Sequence, residues 1–254
     1  MNVSVEIHEA KYLAARSAGL PGWGGVERIF KLPKTLDEKF FAFDKTPTSG
    51  CLLELGCGAG NLSLELANRG FDVYGVDFSS TAIAWARENA EKAGVKIDFR
   101  IGDVTELSYF SDDSFDVLYD GNCFHCIVGE SRRLALSEWR RILKKDGTLF
   151  ISSLCASDED AYFPKEFNSK TRILSESGVP YRFVATSDSI IEELHAAGFM
   201  ILQSSVRQES PFGHIYIHAR KNNVHTTPNA PSHDAQNKVL LDSLKCSHHP
   251  DSQA

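Results

Sequence analysis

Long apolar stretches are missing from this 254-residue chain. No run reaches the roughly 18 residues that a bilayer-spanning helix needs, so no membrane partner is expected. An excess of basic residues is missing too. Lys and Arg number 27 against 34 Asp and Glu, giving a formal net charge of −7, which disfavours binding to nucleic acid phosphates. The amino-terminal MNVSVEIHEAKYLAARSAG has early acids and no unbroken apolar segment, so no secretory leader is expected. Cysteines are few and scattered, at 51, 57, 123, 126, 155 and 246, in a chain long enough to build a core without staples. Reduced thiols and a cytoplasmic location follow as expectations. Aromatic residues are absent from Asn222 to Ala254, where Pro228, Pro231 and Pro250 also break any regular pattern. Burial there cannot offset the entropy of ordering, so 222–254 reads as a disordered tail. Its histidines, at 225, 233, 248 and 249, read as solvated rather than as a metal tract, and no metal is expected.

What remains has an ordinary globular composition, 42% hydrophobic and 24% charged, which excludes collagen-like, coiled-coil and wholly disordered chains. Short apolar runs at Cys51–Leu55, Asp72–Val76, Lys96–Ile101, Phe115–Tyr119 and Thr148–Ser152 read as strands. Helical patterns separate them. Asn61–Arg69 leads to Gly70; Ser79–Ala93 opens on capping serines and stops at Gly94. Ser131–Lys144 puts Ala135, Trp139, Ile142 and Leu143 on one face and ends at Asp146–Gly147. This rhythm predicts βαβ units, a mostly parallel sheet and helices on both faces. A short helix over Ser187–Ala197, with Ile191 and Leu194 inward, precedes strands Phe199–Val206 and His214–Arg220. Their seven-residue link leaves no room for a crossover helix, which predicts an antiparallel hairpin at the sheet edge.

The strongest local signal is Glu54-Leu-Gly56-Cys57-Gly58-Ala-Gly60, directly after a strand and directly before a helix. Glycines are needed where backbone turns tightly or a ligand approaches the main chain. Asn61 stands where a dinucleotide fingerprint would place its last glycine or alanine, and the Gly-Lys-Ser/Thr of a Walker loop is absent. Glu54 would repel phosphate and suits an amine-bearing ligand. Asp77 closes the second strand, where a carboxylate can accept from both hydroxyls of a ribose. Asp103, in Gly102–Asp103–Val104, closes the third and is placed to receive an exocyclic amine. Three neighbouring strands thus each end in an acid.

These motifs resemble the class I methyltransferases that depend on S-adenosylmethionine. ELGCGAG is similar to their first motif, YGVDFS to their second, GDV to their third, FDVLYDGNCF to their fourth and LKKDGTLFIS to their fifth. The resemblance covers about residues 45–155 and finds support from LHAAGF onward. It implies a seven-stranded, doubly wound α/β sheet of order 3-2-1-4-5-7-6 with the last strand antiparallel. It also implies S-adenosylmethionine as cofactor. Glu54, Gly56, Gly58 and Gly60 would surround the methionine moiety, Asp77 hold the ribose and Phe78 stack near the adenine. Asp103 and Val104 would meet the adenine edge, with Cys57 and Asp120 also in the cofactor shell.

The loop Asp120-Gly-Asn122-Cys123-Phe-His125-Cys126 follows the fourth strand, where the strand order reverses and open α/β sheets bind ligands. His125 is the expected catalytic residue, since an imidazole can take a proton near neutrality. Asn122 and Cys123 would touch the substrate. So would Trp23, in Pro-Gly-Trp-Gly-Gly, as either a lid aromatic or an anchor, and Tyr162 in an aromatic insertion. The expected organisation is a helical lid or arm over 1–45, a methyltransferase domain over 46–221 with a substrate-side insertion at 155–186, and the tail. The expected activity is methyl transfer to a small-molecule acceptor by direct in-line attack. The pattern Asn/Asp-Pro-Pro-Tyr/Phe of base- and glutamine-methylating enzymes is not present. Two alternatives stand beside it. Cys57, Cys123, Cys126 and Cys155 follow neighbouring strands and could serve arsenite methylation, or the chain could be a non-catalytic subunit that binds S-adenosylmethionine. Oligomeric state is not legible.

Overall fold

The structure is a computed structural model that describes residues 3–156, 163–209 and 211–222. The chain opens with α1 (Val3–Ser17), α2 (Gly25–Thr35) and a π-helical turn over Leu36–Phe40. Then come β1 (Gly50–Leu55), α3 (Asn61–Asn68), β2 (Phe71–Asp77), α4 (Ser80–Ala93) and β3 (Asp98–Ile101). The second half adds β4 (Phe115–Gly121), α5 (Ser131–Ile142) and β5 (Leu143–Cys155). The insertion holds β6 (Phe167–Asn168), β7 (Ile173–Glu176) and β8 (Val179–Phe183), and α6 (Ser187–Ala196), β9 (Phe199–Arg207) and β10 (Gly213–Lys221) complete it.

The main sheet has the order β3-β2-β1-β4-β5-β10-β9, parallel except for β10, which runs antiparallel to both neighbours. The doubly wound α/β expectation is thus what the chain forms, with β9 and β10 as its sixth and seventh strands. Alternation builds two apolar faces. Leu53, Leu55, Leu118, Ile151 and Ile217 pack under α5 and α6 through Trp139 and Leu194. Leu52, Val117, Tyr119, Phe150 and Tyr216 pack under α3 and the π-helical turn through Leu66, Leu36 and Phe40. The arm is fastened to this second face by His218 Nε2, which donates to the Phe40 carbonyl at 3.0 Å.

Two local expectations are corrected. Helix α5 stops at Ile142 and the chain turns straight into β5, because Leu143 pairs with Phe115 at a bulge and Lys144 reaches the Asp116 carboxylate at 2.9 Å. Ile190 joins Leu194 as the fully buried pair, while Ile191 is only partly buried against the same core. The insertion is a small antiparallel sheet, β6-β7-β8, whose Phe163 and Phe167 stack with Phe212 from the β9–β10 turn into their own core. The tail expected at 222–254 lies outside the described residues except for Asn222. No described helix is long and apolar enough to cross a membrane.

Candidate functional site

The carboxyl ends of β1, β2, β4 and β5 open into a cavity of about 1020 Å³. That is the upper end of the range for small-ligand pockets and leaves room for two molecules. The floor of one half is backbone. Gly56 holds φ +68°, and a Cβ there would stand 2.7 Å from Cys123 Cβ, so only glycine lets the first loop meet the loop after β4. Asp77 ends β2 with both carboxylate oxygens anchored: Oδ2 accepts from Gly58 N–H and Oδ1 from Ser79 N–H, each at 2.9 Å. Burial raises its carboxyl from the ordinary range to about 6, against the pull of those N–H groups. Tyr12, on α1, places its hydroxyl 3.5 Å from Asp77 Oδ2, and burial and the Asp77 charge together push its phenol well up. Glu54 is buried and accepts from the Ser63 hydroxyl. Asp103 is exposed, and its Oδ1 accepts from the backbone and hydroxyl of Thr105 at 2.9 and 2.8 Å.

Glu54, Gly56, Cys57, Gly58, Asp77, Phe78, Asp103 and Val104 all line this one cavity. Two expected cofactor contacts fall elsewhere. Gly60 caps α3 at φ +74°, and a Cβ there would meet Phe99 at 2.7 Å and Ala86 at 3.0 Å, so it serves helix–sheet packing. Asp120 is fully buried beneath its loop and does not reach the cavity wall. Its Oδ1 accepts from the N–H groups of Cys123 (2.6 Å) and Phe124 (3.0 Å). Burial lifts this carboxyl to about 7. Asp120 shapes the loop.

That loop is also gripped from outside. Arg132, buried on α5, donates from Nη1 to the carbonyls of Phe124 (2.7 Å) and Ile127 (3.2 Å) and pairs with Glu193 at 2.7 Å. Its guanidinium lies 3.7 Å from the Phe124 ring centre. The loop brings Asn122, Cys123, His125 and Cys126 to the cavity. Asn122 takes φ +86°, a left-handed conformation that residues with a Cβ adopt at a cost. His125 is buried, and its Nδ1 accepts from the Leu154 N–H at 3.3 Å. The neutral ring therefore carries its proton on Nε2 and is a hydrogen-bond donor in this geometry.

The four thiols of the arsenite-methylating alternative do not all meet. Cys57, Cys123 and Cys126 line the cavity and Cys155 does not. Burial pushes Cys57 and Cys123 well up and Cys155 to about 11, away from the thiolate that metalloid chemistry requires. Trp23 lines the cavity and packs within the arm, with edge contacts to His8 at 5.2 Å and Tyr12 at 5.0 Å. Tyr162 lies outside the described residues.

Sequence reasoning missed most of the opposite wall. Tyr119, Ser152, His214 and Tyr216 line it from the sheet, and Arg182 comes from the insertion. The Ser152 hydroxyl lies 2.9 Å from His214 Nε2. A signal was available in β10, where His214, Tyr216 and His218 alternate with Ile215 and Ile217 and so put three polar tips on one face.

Comparison with known proteins agrees with this construction. A family model described as a methyltransferase domain matches residues 53–151. Residues 53–151 thus resemble a methyltransferase domain, and the sheet has the class I, Rossmann-like order. Among its relatives, a protein of Geobacillus sp. named as a methyltransferase is 35% identical over 98 residues, 39% of this chain and 40% of that one. A Bacillus cereus methyltransferase is 29% identical over 113 residues, 44% and 51% of the two chains. The chain thus matches about half the length of these relatives or less. Among solved structures, the 1,6-didemethyltoxoflavin-N1-methyltransferase of Burkholderia thailandensis superposes with TM-score 0.64 at 19% identity, covering 86% of this chain and 88% of that one. The Pyrococcus horikoshii PH0226 protein does so at 0.60 and 22%, covering 74% and 89%. The cofactor of this domain class is S-adenosylmethionine. The site fits it: a buried, backbone-oriented carboxylate at Asp77 for paired hydroxyls, and Glu54 beside side-chain-free backbone for an amine.

Proposed function

We propose that this protein transfers the methyl group of S-adenosylmethionine to a small-molecule acceptor by direct in-line attack. The observation that carries the reading is the single cavity with two unlike halves. Strand-end acids and glycine backbone form one, and tyrosine, serine and histidine side chains the other. S-adenosylmethionine supplies a methyl group already activated on a sulfonium. The protein's share is therefore alignment, water exclusion and care of the acceptor's proton.

Asp77 would hold the ribose, with its aim fixed by Gly58 and Ser79. Glu54 would take the amino group, and Phe78, Asp103 and Val104 the adenine. Trp23 and Tyr12 close the roof from the arm. Asn122, Cys123 and His125 would face the acceptor, His125 holding it through Nε2–H. A small acceptor agrees with the depth of the cavity and with the net charge of −7, which does not draw in nucleic acid. The Burkholderia neighbour, which carries 1,6-didemethyltoxoflavin and S-adenosylhomocysteine, gives the same fold a small-molecule precedent.

The test is transfer of label from methyl-labelled S-adenosylmethionine into a metabolite extract freed of macromolecules. A labelled small molecule that depends on the protein is the expected result. Label that enters only added protein or RNA would overturn the small-molecule reading.

A further inference from the structure

The geometry points to Ser152 and His214 as a proton relay for a flat, hydroxyl-bearing acceptor. Tyr119, Gly121, Ser152, His214 and Tyr216 project on the same face, because Gly121 pairs with Ser152, Ser152 with Tyr216, and Leu154 with His214. At the bottom of this face the side chains are Leu52, Val117 and Phe150, sealed under Phe40. One step toward the strand ends they become polar and enter the cavity. Gly121 contributes no side chain there, and a Cβ would stand 3.0 Å from Leu62 Cδ2 and 3.7 Å from Glu54 Oε1, so Leu62 and the acidic half both close on this point. Ser152 lies one strand spacing from it, roughly 4.8 Å.

The slot beyond that point has flat apolar sides, the Tyr119 and Tyr216 rings with Leu32 of α2. Its chemistry is concentrated in one pair, the Ser152 hydroxyl and His214 Nε2 at 2.9 Å. Among the described residues, charged and titratable groups near His214 include Tyr216, whose ring centre is 5.1 Å away, and Arg207, its register partner on β9, which is paired with Glu209. Lys39 lies over the Tyr216 ring at 5.0 Å. With the proton of the neutral His214 ring on Nδ1, Nε2 accepts from Ser152, and the serine oxygen is free to accept from a ligand. The acceptor's hydroxyl proton passes to Ser152 Oγ as the serine's own proton passes to His214 Nε2. An imidazolium and an oxyanion are left, and the oxygen's electron pair is available for attack. His125 cannot do this as it stands, because its Nδ1 is taken by the Leu154 N–H.

The identity of the attack as methyl transfer rests on the proposed function; the relay itself does not, and the test separates them. The probe is 4-nitrophenol, whose phenolate is yellow and whose phenol is colourless. It is added to the full chain with and without S-adenosylhomocysteine, at a pH one unit below its solution midpoint. Bound probe is expected to turn yellow in the wild type and to stay colourless in Ser152→Ala and His214→Gln at saturation. Retained affinity for S-adenosylhomocysteine, measured by calorimetry, shows that each variant is folded. A wild-type complex that stays colourless overturns the relay, and a probe that does not bind overturns the hydroxyl-bearing class. A yellow complex that survives His214→Gln, or that only His125→Gln abolishes, also overturns it. If S-adenosylhomocysteine fails to bind the wild type, the methyl-transfer reading falls, while the colour still reports on the pair.

Discussion

The two halves of the cavity are built from different material. On the side of Asp77 the contacts are main chain: the Gly58 and Ser79 N–H groups and the bare Cα of Gly56 do the orienting, and the chain segments are consecutive βα turns. On the other side the contacts are side chains drawn from far apart in sequence: Tyr119 from β4, Ser152 from β5, Arg182 from the insertion and Tyr216 from β10. Backbone-built sites tolerate little drift in geometry, whereas side-chain walls can be re-lined without disturbing the sheet. The difference teaches where to look for cofactor affinity and where to look for acceptor choice.

The comparison is broken most severely at Asp77. Asp77→Ala removes a buried, charge-assisted acceptor and should weaken S-adenosylhomocysteine by about 2–4 kcal/mol in calorimetry; equal affinity would dissolve the donor half as described. Next comes Arg132→Met, which leaves two loop carbonyls without their donor and Glu193 without its partner. Urea denaturation should show a loss of about 2–3 kcal/mol, discounted because Glu193 is partly exposed. On the acceptor side, His125→Gln should leave S-adenosylhomocysteine affinity within about twofold and lower labelled transfer by about tenfold, the scale of one lost hydrogen bond of about 1.4 kcal/mol. Near-normal transfer would place the ring in a packing role. The smallest effect is expected from Cys123→Ser, within about 1 kcal/mol in stability and with activity retained, because the thiol it replaces is protonated.

Acid sharpens the same contrast. The Asp77 carboxyl is raised to about 6, so it loses its charge as pH falls through that value, and affinity for the ribose-bearing ligand should fall with it. Stability of the ligand-free protein moves the other way. Asp77 and Asp120 are both held above their unfolded values, so the protons they bind favour the folded state. That contribution is fully present below about pH 4 and is lost as pH rises through about 6 and about 7. Melting scans between pH 8 and 5.5 should show the free protein gaining while the ligand-induced shift shrinks; parallel curves would contradict the assignment.

The donor half was legible because its signals are local. A glycine spacing, an acid at a strand end and a capping serine can each be read within a few residues, and Glu54, Gly56, Asp77 and Asp103 landed in one cavity. Gly60 and Asp120 carried the same local signals and serve packing and loop shape, since sequence spacing does not tell which face a residue takes at the end of a strand. The acceptor half depends on long-range register. Ser152 meets His214 only because β10 runs back along β5, and the hairpin was foreseeable while its pairing was not. The insertion's strands are two to five residues long, too short for periodicity to declare them.

His8 on α1 sits 5.2 Å from Trp23, 5.4 Å from Phe78 and 5.0 Å from Tyr181, while Lys11 pairs with Glu176 at 2.8 Å. The arm and the insertion sheet are therefore joined at one point, where His8 meets Tyr181 and Lys11 meets Glu176. Each aromatic pair contributes about 0.5–1.5 kcal/mol beyond its buried area, so loosening one element costs contacts held by the other. Tyr181→Ala should therefore quicken dissociation of S-adenosylhomocysteine in stopped-flow by about tenfold, and an unchanged rate would show that this junction does not bear on the ligand.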